Sequence, residues 1–111
     1  MNVNDLLCSE IITLTGDVGL ENLVTKGYTC DLLSWVMARG DEGTAWITVQ
    51  NNMNVVAVAT MMDFSCIILS ENIKMEQSVL DKASTEGIAI LSSSLTSYAL
   101  SIKLEKLGCK V

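Results

Sequence analysis

The sequence predicts an α/β fold in which a parallel-rich sheet carries helices on its faces. Three observations predict it. Short, apolar runs recur at residues 45–49, 66–69 and 88–91. Each is followed by a stretch of helical length. Gly40, Gly87 and Gly108 fall where helices should stop, and the chain holds no Pro to break them. Strands that are apolar on both sides belong to a sheet covered on both faces, and strands alternating with helices make that sheet parallel.

The elements follow in order. Residues 5–10 read as a short amphipathic helix. Ile11, Ile12 and Leu14 form a short apolar run, stopped by Gly16-Asp17-Val18-Gly19, and Leu23-Val24 reads as a second short strand before Gly27. Residues 31–40 read as a helix: Thr29 or Asp31 caps its start, Leu32, Trp35, Val36 and Arg39 recur at helical spacing, and Gly40 ends it. Residues 45–49 are rich in β-branched and aromatic side chains and read as a strand. A helix over 53–62, a strand over 66–69 and a helix over 75–86 follow, the last with Val79, Leu80 and Ala83 inward. A strand over 88–91 precedes the last helix, 95–107, with Ser94 as its cap. No repeat, low-complexity tract or Pro/Gly/Ser linker interrupts the chain, so residues 1–111 read as a single domain of a size that buries a core without staples.

Composition excludes several functions. Thirteen acidic side chains against seven basic ones give a net charge of −6, and Arg39 is the only arginine. Phosphate backbones and anionic membranes are bound by clustered Lys and Arg, so neither nucleic acid nor a membrane is an expected partner. No apolar run reaches the roughly 18 residues of a membrane span, and residues 1–10 lack a basic, signal-like start, so a cytoplasmic protein is expected. Cys8, Cys30, Cys66 and Cys109 are far apart, no CxxC pair exists and there is no His, so no metal site is expected and the cysteines read as free thiols.

Catalytic signals are poor in the same way. Without His the commonest general base is absent. No phosphate-binding glycine loop or nucleophile elbow occurs. Asp41-Glu42 sits on a Gly-flanked turn, and Asp63 ends a helix rather than a strand, which does not fit a phospho-acceptor. Glu71 is the one acid at a strand end, where it either binds a ribose or an amine or simply faces water, and an enzyme would have to use Glu71 or Cys30. The expectation is a non-enzymatic chain without a cofactor.

Two surfaces remain. The helix over 53–62 is apolar around its whole circumference except at Asn54 and Thr60. The last helix carries two apolar stripes, one of Leu95, Tyr98, Ala99 and Ile102 and an opposite one of Leu100, Leu104 and Leu107. A helix apolar all round is buried all round. Either the N-terminal segment covers the surplus, or a second copy does, with Val55, Val58, Met61, Met62, Leu100 and Leu104 at a homodimer contact. The second surface is the carboxyl edge of the sheet, where ligands of open α/β folds bind. It should gather Gln50, Asn51 and Asn52 with Ser70, Glu71 and Asn72 and with Ser92, Ser93 and Ser94. Helix N-termini aimed at that edge suit an anion or a phosphate, although the same residues also serve as ordinary helix caps. The primary reading is a non-catalytic regulatory or interaction module, homodimeric; the alternative is a small-ligand, nucleotide-like sensor.

Three stretches carry a resemblance to a known family. They are Trp46-Ile-Thr-Val-Gln-Asn-Asn-Met-Asn-Val-Val-Ala-Val-Ala59, Ile67-Ile-Leu-Ser-Glu-Asn-Ile-Lys-Met-Glu-Gln-Ser-Val-Leu80 and Glu86-Gly-Ile-Ala-Ile-Leu-Ser92. Together they resemble DRTGG domains, whose fold is like the N-terminal domain of HPr kinase/phosphorylase. Gly27-Tyr-Thr-Cys-Asp-Leu-Leu-Ser34 looks like the stand-alone members of anaerobic bacteria. The resemblance implies that fold, a tendency to dimerise, no enzymatic activity of its own and a protein partner in a regulatory or hydrogenase-associated system. The eponymous motifs differ: Gln50-Asn51 stands where the family has Asp-Arg, and Ser70-Glu71-Asn72 where it has Thr-Gly-Gly.

Overall fold

The computed structural model describes residues 1–111. A 3₁₀ turn (Val3–Leu6) precedes β1 (Ile12–Thr13), β2 (Lys26–Thr29), α1 (Leu33–Arg39), β3 (Thr44–Thr48), α2 (Met53–Met61), β4 (Cys66–Leu69), α3 (Gln77–Thr85), β5 (Ala89–Ser92) and α4 (Ser97–Lys106). The strands form one sheet in the order β1-β5-β4-β3-β2. β2, β3, β4 and β5 run parallel, and β1 joins the β5 edge antiparallel. The expected parallel-rich α/β fold is therefore present, as a mixed five-stranded sheet with four helices.

Strand order explains where the helices go. From β2 to β5 each crossover moves one strand in the same direction, so right-handed connections put α1, α2 and α3 on one face. That face packs Val36, Val55, Val56, Val58, Ala59, Val79 and Ala83 from the helices onto Trp46, Ile67 and Ile90 of the sheet. The opposite face carries Ala45, Ile47, Cys66, Ile68, Ala89 and Leu91, covered by Leu100 and Leu104 of α4 and by Val3, Leu6 and Ile11 of the N-terminal segment. Register supplies the fit. Gly27, Ala45, Cys66 and Ala89 lie side by side across this second face, a row of small residues. A Cβ on Gly27 would lie 3.4 Å from Cys109 Sγ and 3.7 Å from Leu104 Cδ2, so the small row makes room for the end of α4. Burial pushes the Cys66 thiol well above its ordinary range and raises that of Cys109, so both are held protonated.

Several local expectations are corrected. The helix over 5–10 is instead the 3₁₀ turn, set two residues earlier by a capping box: Asp5 N donates to Asn2 Oδ1 at 3.2 Å and Asn2 N donates to Asp5 Oδ2 at 2.9 Å. The second strand is Lys26–Thr29, not Leu23-Val24; as an edge strand it needs no fully apolar sequence. α1 starts at Leu33 without a side-chain cap, because the Asp31 carboxylate is taken by β3. Only Val36 of its expected stripe is buried. α4 starts at Ser97 with Thr96 as cap, two residues later than expected, because Leu95 O accepts from Glu71 N at 2.8 Å.

The interface expectation changes most. Val55, Val58, Leu100 and Leu104 lie in the chain's own core, not on a contact surface. The three-layer arrangement buries one side of each helix against the sheet, and α4 is held there together with the N-terminal segment. Met62 is half-buried against the first core face, and Met61 is exposed.

Candidate functional site

The carboxyl edge of the sheet is the first candidate. α3 leaves β4 toward one face and α4 leaves β5 toward the other, so the β4/β5 boundary is the topological switch point where a crevice opens in folds of this kind. In this chain the loops there are tied together. Glu71 N donates to Leu95 O at 2.8 Å and Asn72 N to Ser93 O at 2.9 Å, while the Ser70 and Ser97 hydroxyls share a hydrogen bond of 2.7 Å.

The ties continue along the edge. The Asp31 carboxylate, from the loop after β2, accepts from Thr48 Oγ1 at 2.8 Å and from Val49 N at 2.9 Å. Gln50 Nε2 donates to Asp31 O at 3.2 Å, and Asn51 Nδ2 donates to Lys74 O at 2.7 Å in the loop before α3. Ser101 of α4 donates to Ser97 O and shares a hydrogen bond with Thr29, each at 2.7 Å. The four strand-end loops thus form one connected hydrogen-bonded rim.

The predicted ligand residues are distributed unevenly on it. Asn52 caps α2 through Asn54 N. Ser93 Oγ accepts from Leu95 N, and Ser70, Ser92 and Ser93 are buried. Gln50 and Asn51 hold neighbouring loops. Glu71, Asn72 and Ser94 are the three whose side chains are exposed and make no hydrogen bond. Asp31, Thr48, Ser97 and Ser101 complete the rim and escape a sequence reading, since their spacing has no motif. Asp31 carries a faint signal as a polar residue between a strand and a helix, which reads more naturally as a cap.

Glu71 and Asn72 also hold an unusual backbone, with φ of 61° and 56°. These are left-handed values that favour Gly. The two amide bonds to the loop after β5 hold this backbone. Glu71→Gly is expected to raise stability by up to about 1 kcal/mol, since left-handed strain of about 1–2 kcal/mol outweighs the added unfolded-state freedom. Asn72→Gly should gain less, because Asn tolerates this region. Urea midpoints check it; a lowered midpoint for Glu71→Gly would mean that the side chain stabilises the turn.

The second candidate is the outward face of the helices. On α2 the line Met53, Ala57, Met61 points away from the sheet, and Met61 is 61% exposed. On α1 Trp35 is 49% exposed, with the Arg39 guanidinium 4.7 Å from its ring centroid. On α4 Tyr98 is 78% exposed and Ile102 41%, with Leu95 and Ala99 half-buried beside them. A third feature is a cleft of about 290 Å³ between the β2 edge and α4, lined in part by Ile47, Leu104, Cys109 and Tyr28. The C-terminal residues already pair with this edge, through Gly27 N donating to Lys110 O at 2.8 Å. No helix is long and apolar enough to cross a membrane.

No family model matches the chain, and no curated protein matches it. Among solved structures, the chain is similar to the crystal structure of the CBS and DRTGG domains of the regulatory region of Clostridium perfringens pyrophosphatase, complexed with its activator diadenosine tetraphosphate. The TM-score is 0.64 at 13% sequence identity, over 74% of this chain and 36% of that one. The chain spans about a third of the length of the structure it matches, and the likeness establishes a shared fold.

Proposed function

We propose that this chain is a non-catalytic, cytoplasmic regulatory module of the DRTGG type that works by association, as a homodimer joined through the outer stripe of α4. The observation that carries this reading is the exposure of Tyr98 and Ile102, flanked by Leu95 and Ala99, on α4, one of the two helices expected to offer the contact, on the stripe away from Leu100 and Leu104. Tyrosine combines a large apolar body with a polar tip and is enriched in interfaces. The charge there is close to balanced: Lys103 pairs with Glu10 at 3.1 Å, and Glu105 lies between Lys103 and Lys106. Two copies can meet at such a face without the like-charge repulsion expected elsewhere on an acidic protein. The expected hydrogenase-associated or other regulatory partner would then bind a different face of the dimer.

Light scattering at low micromolar concentration tests the reading. The expected mass is near twice the 12.0 kDa of the chain. Tyr98→Asp should return it to 12.0 kDa with an unchanged circular dichroism spectrum, because the side chain leaves the core untouched. A wild-type monomer, or a dimer indifferent to Tyr98→Asp, overturns the α4 interface.

A second reading, ligand sensing at the carboxyl edge, draws on the nucleotide activator in the related regulatory structure. In this chain it would rest on Glu71 and Asn72, which with Ser94 are the exposed side chains left uncommitted at the switch point. A thermal shift with adenine nucleotides that Glu71→Ala abolishes would favour it over association alone.

A further inference from the structure

The net charge is not spread evenly. Residues 31–88, which form α1, α2, α3 and their loops, hold eight acidic against three basic side chains, a net of −5 out of the chain's −6. β3 and β4 carry no charged residue; of the eight acids, Asp31 and Glu71 lie on the carboxyl rim, Asp41 pairs with Lys26 and Glu86 with Lys82, which leaves Glu42, Asp63, Glu76 and Asp81 for the helical face. In the middle of that side lies α2, in contact with both α1 and α3. α2 itself carries no charge, and its outward line is Met53, Ala57 and Met61. Exposed acids border it: Asp63 follows its C-terminal end, Glu42 follows α1, and Glu76 and Asp81 lie at and within α3. None of these four makes an ion pair with Lys or Arg.

We propose that this face is a docking surface for an amphipathic helix with a basic polar side. An apolar line at helical spacing receives the apolar face of such a helix, and flexible, polarisable Met side chains adapt to its shape. The acidic border attracts its Lys and Arg residues and steers the encounter. Charge selects this occupant over a second copy of the chain. A twofold contact through α2 would bring the unpaired Glu42, Asp63, Glu76 and Asp81 of one copy toward the same acids of the other, and like charges across an interface disfavour it. The surface is separate from the α4 stripe, so a dimer joined there would present two such faces.

The test uses the full chain with its methionine methyls labelled for NMR and a synthetic helix of Leu and Lys, Leu on one face and Lys on the other. The Met53 and Met61 methyls should shift saturably, while the methyl of Met75, buried in the core, should move least. Affinity should fall about tenfold or more when salt is raised well above physiological strength, as exposed charge pairs are screened. Met61→Asp should weaken binding at least as much while leaving the fold intact, because Met61 is exposed. A Leu/Lys peptide scrambled to destroy its apolar face, or a Leu/Glu helix, should not compete. Equal binding by either overturns the proposal, as does a shift confined to residues away from α2. If the free chain already protects Met53 and Met61 in a dimer that Met61→Asp dissociates, a second copy is the occupant and the proposal falls. The α4 homodimer is read separately, by the effect of Tyr98→Asp on mass, so either conclusion can fail without the other.

Discussion

Val58→Asp is expected to unfold the chain, whereas Met61→Asp, three residues along the same helix, leaves it folded. Val58 is 7% exposed and packs in the core face with Trp46, Ile67 and Val79. α2 carries no basic residue to pair with an introduced carboxylate. An unpaired buried carboxylate costs several kcal/mol, a large part of the about 5–15 kcal/mol that holds a domain together. Met61 is 61% exposed, and a substitution at such a site changes stability by about 0.5 kcal/mol or less. Circular dichroism and thermal melting of the two variants, side by side, separate core from surface on one helix. A folded Val58→Asp with a near-normal melting temperature would show that α2's inner face is not the core and would return Val55 and Val58 to the interface.

Trp46→Ala is expected to lose about 3–5 kcal/mol, enough to leave the chain marginal. Trp46 is fully buried in β3. Its ring meets Phe64 edge-on, with centroids 5.8 Å apart and planes at 77°, and its Nε1 donates to Cys30 O at 2.8 Å. That last bond links the core to the carboxyl rim, because Cys30 precedes Asp31, whose carboxylate holds Thr48 and Val49. Trp46→Phe retains much of the apolar volume but leaves the Cys30 carbonyl without its donor, at a cost of about 1–3 kcal/mol. Urea denaturation of both variants distinguishes volume from hydrogen bonding. A loss below about 1 kcal/mol in Trp46→Ala would mean that the site refills by collapse, against the measured range for large-to-small core changes.

Much of the fold was legible in the chain itself. The runs at 45–49, 66–69 and 88–91 are apolar on both faces, and local sequence suffices to mark such strands. β2 was misplaced because an edge strand with Lys26, Gly27 and Thr29 carries no such signal; it pairs because β3 offers it a partner. Cap positions also shifted. Asp31, read as a helix cap, serves β3 instead, and this exchange depends on a loop residue meeting a strand end 17 residues away.

The site divides in the same way. Residues 50–52, 70–72 and 92–94 do gather at one edge, as alternation of strands and helices requires. Whether their polar atoms face a ligand or one another is a matter of distances, and here Gln50, Asn51, Asn52, Ser70 and Ser93 are committed within the protein.

Periodicity and composition are local properties, so the α/β class, the strands and helices of the C-terminal two-thirds, the acidic charge and the absence of histidine chemistry are legible in the chain. Which side of each apolar helix is core is set by long-range packing. Val55, Val58, Leu100 and Leu104 turn inward, leaving Met61, Tyr98 and Ile102 outside. That choice depends on which sheet face each crossover reaches, and no periodicity along one helix encodes it.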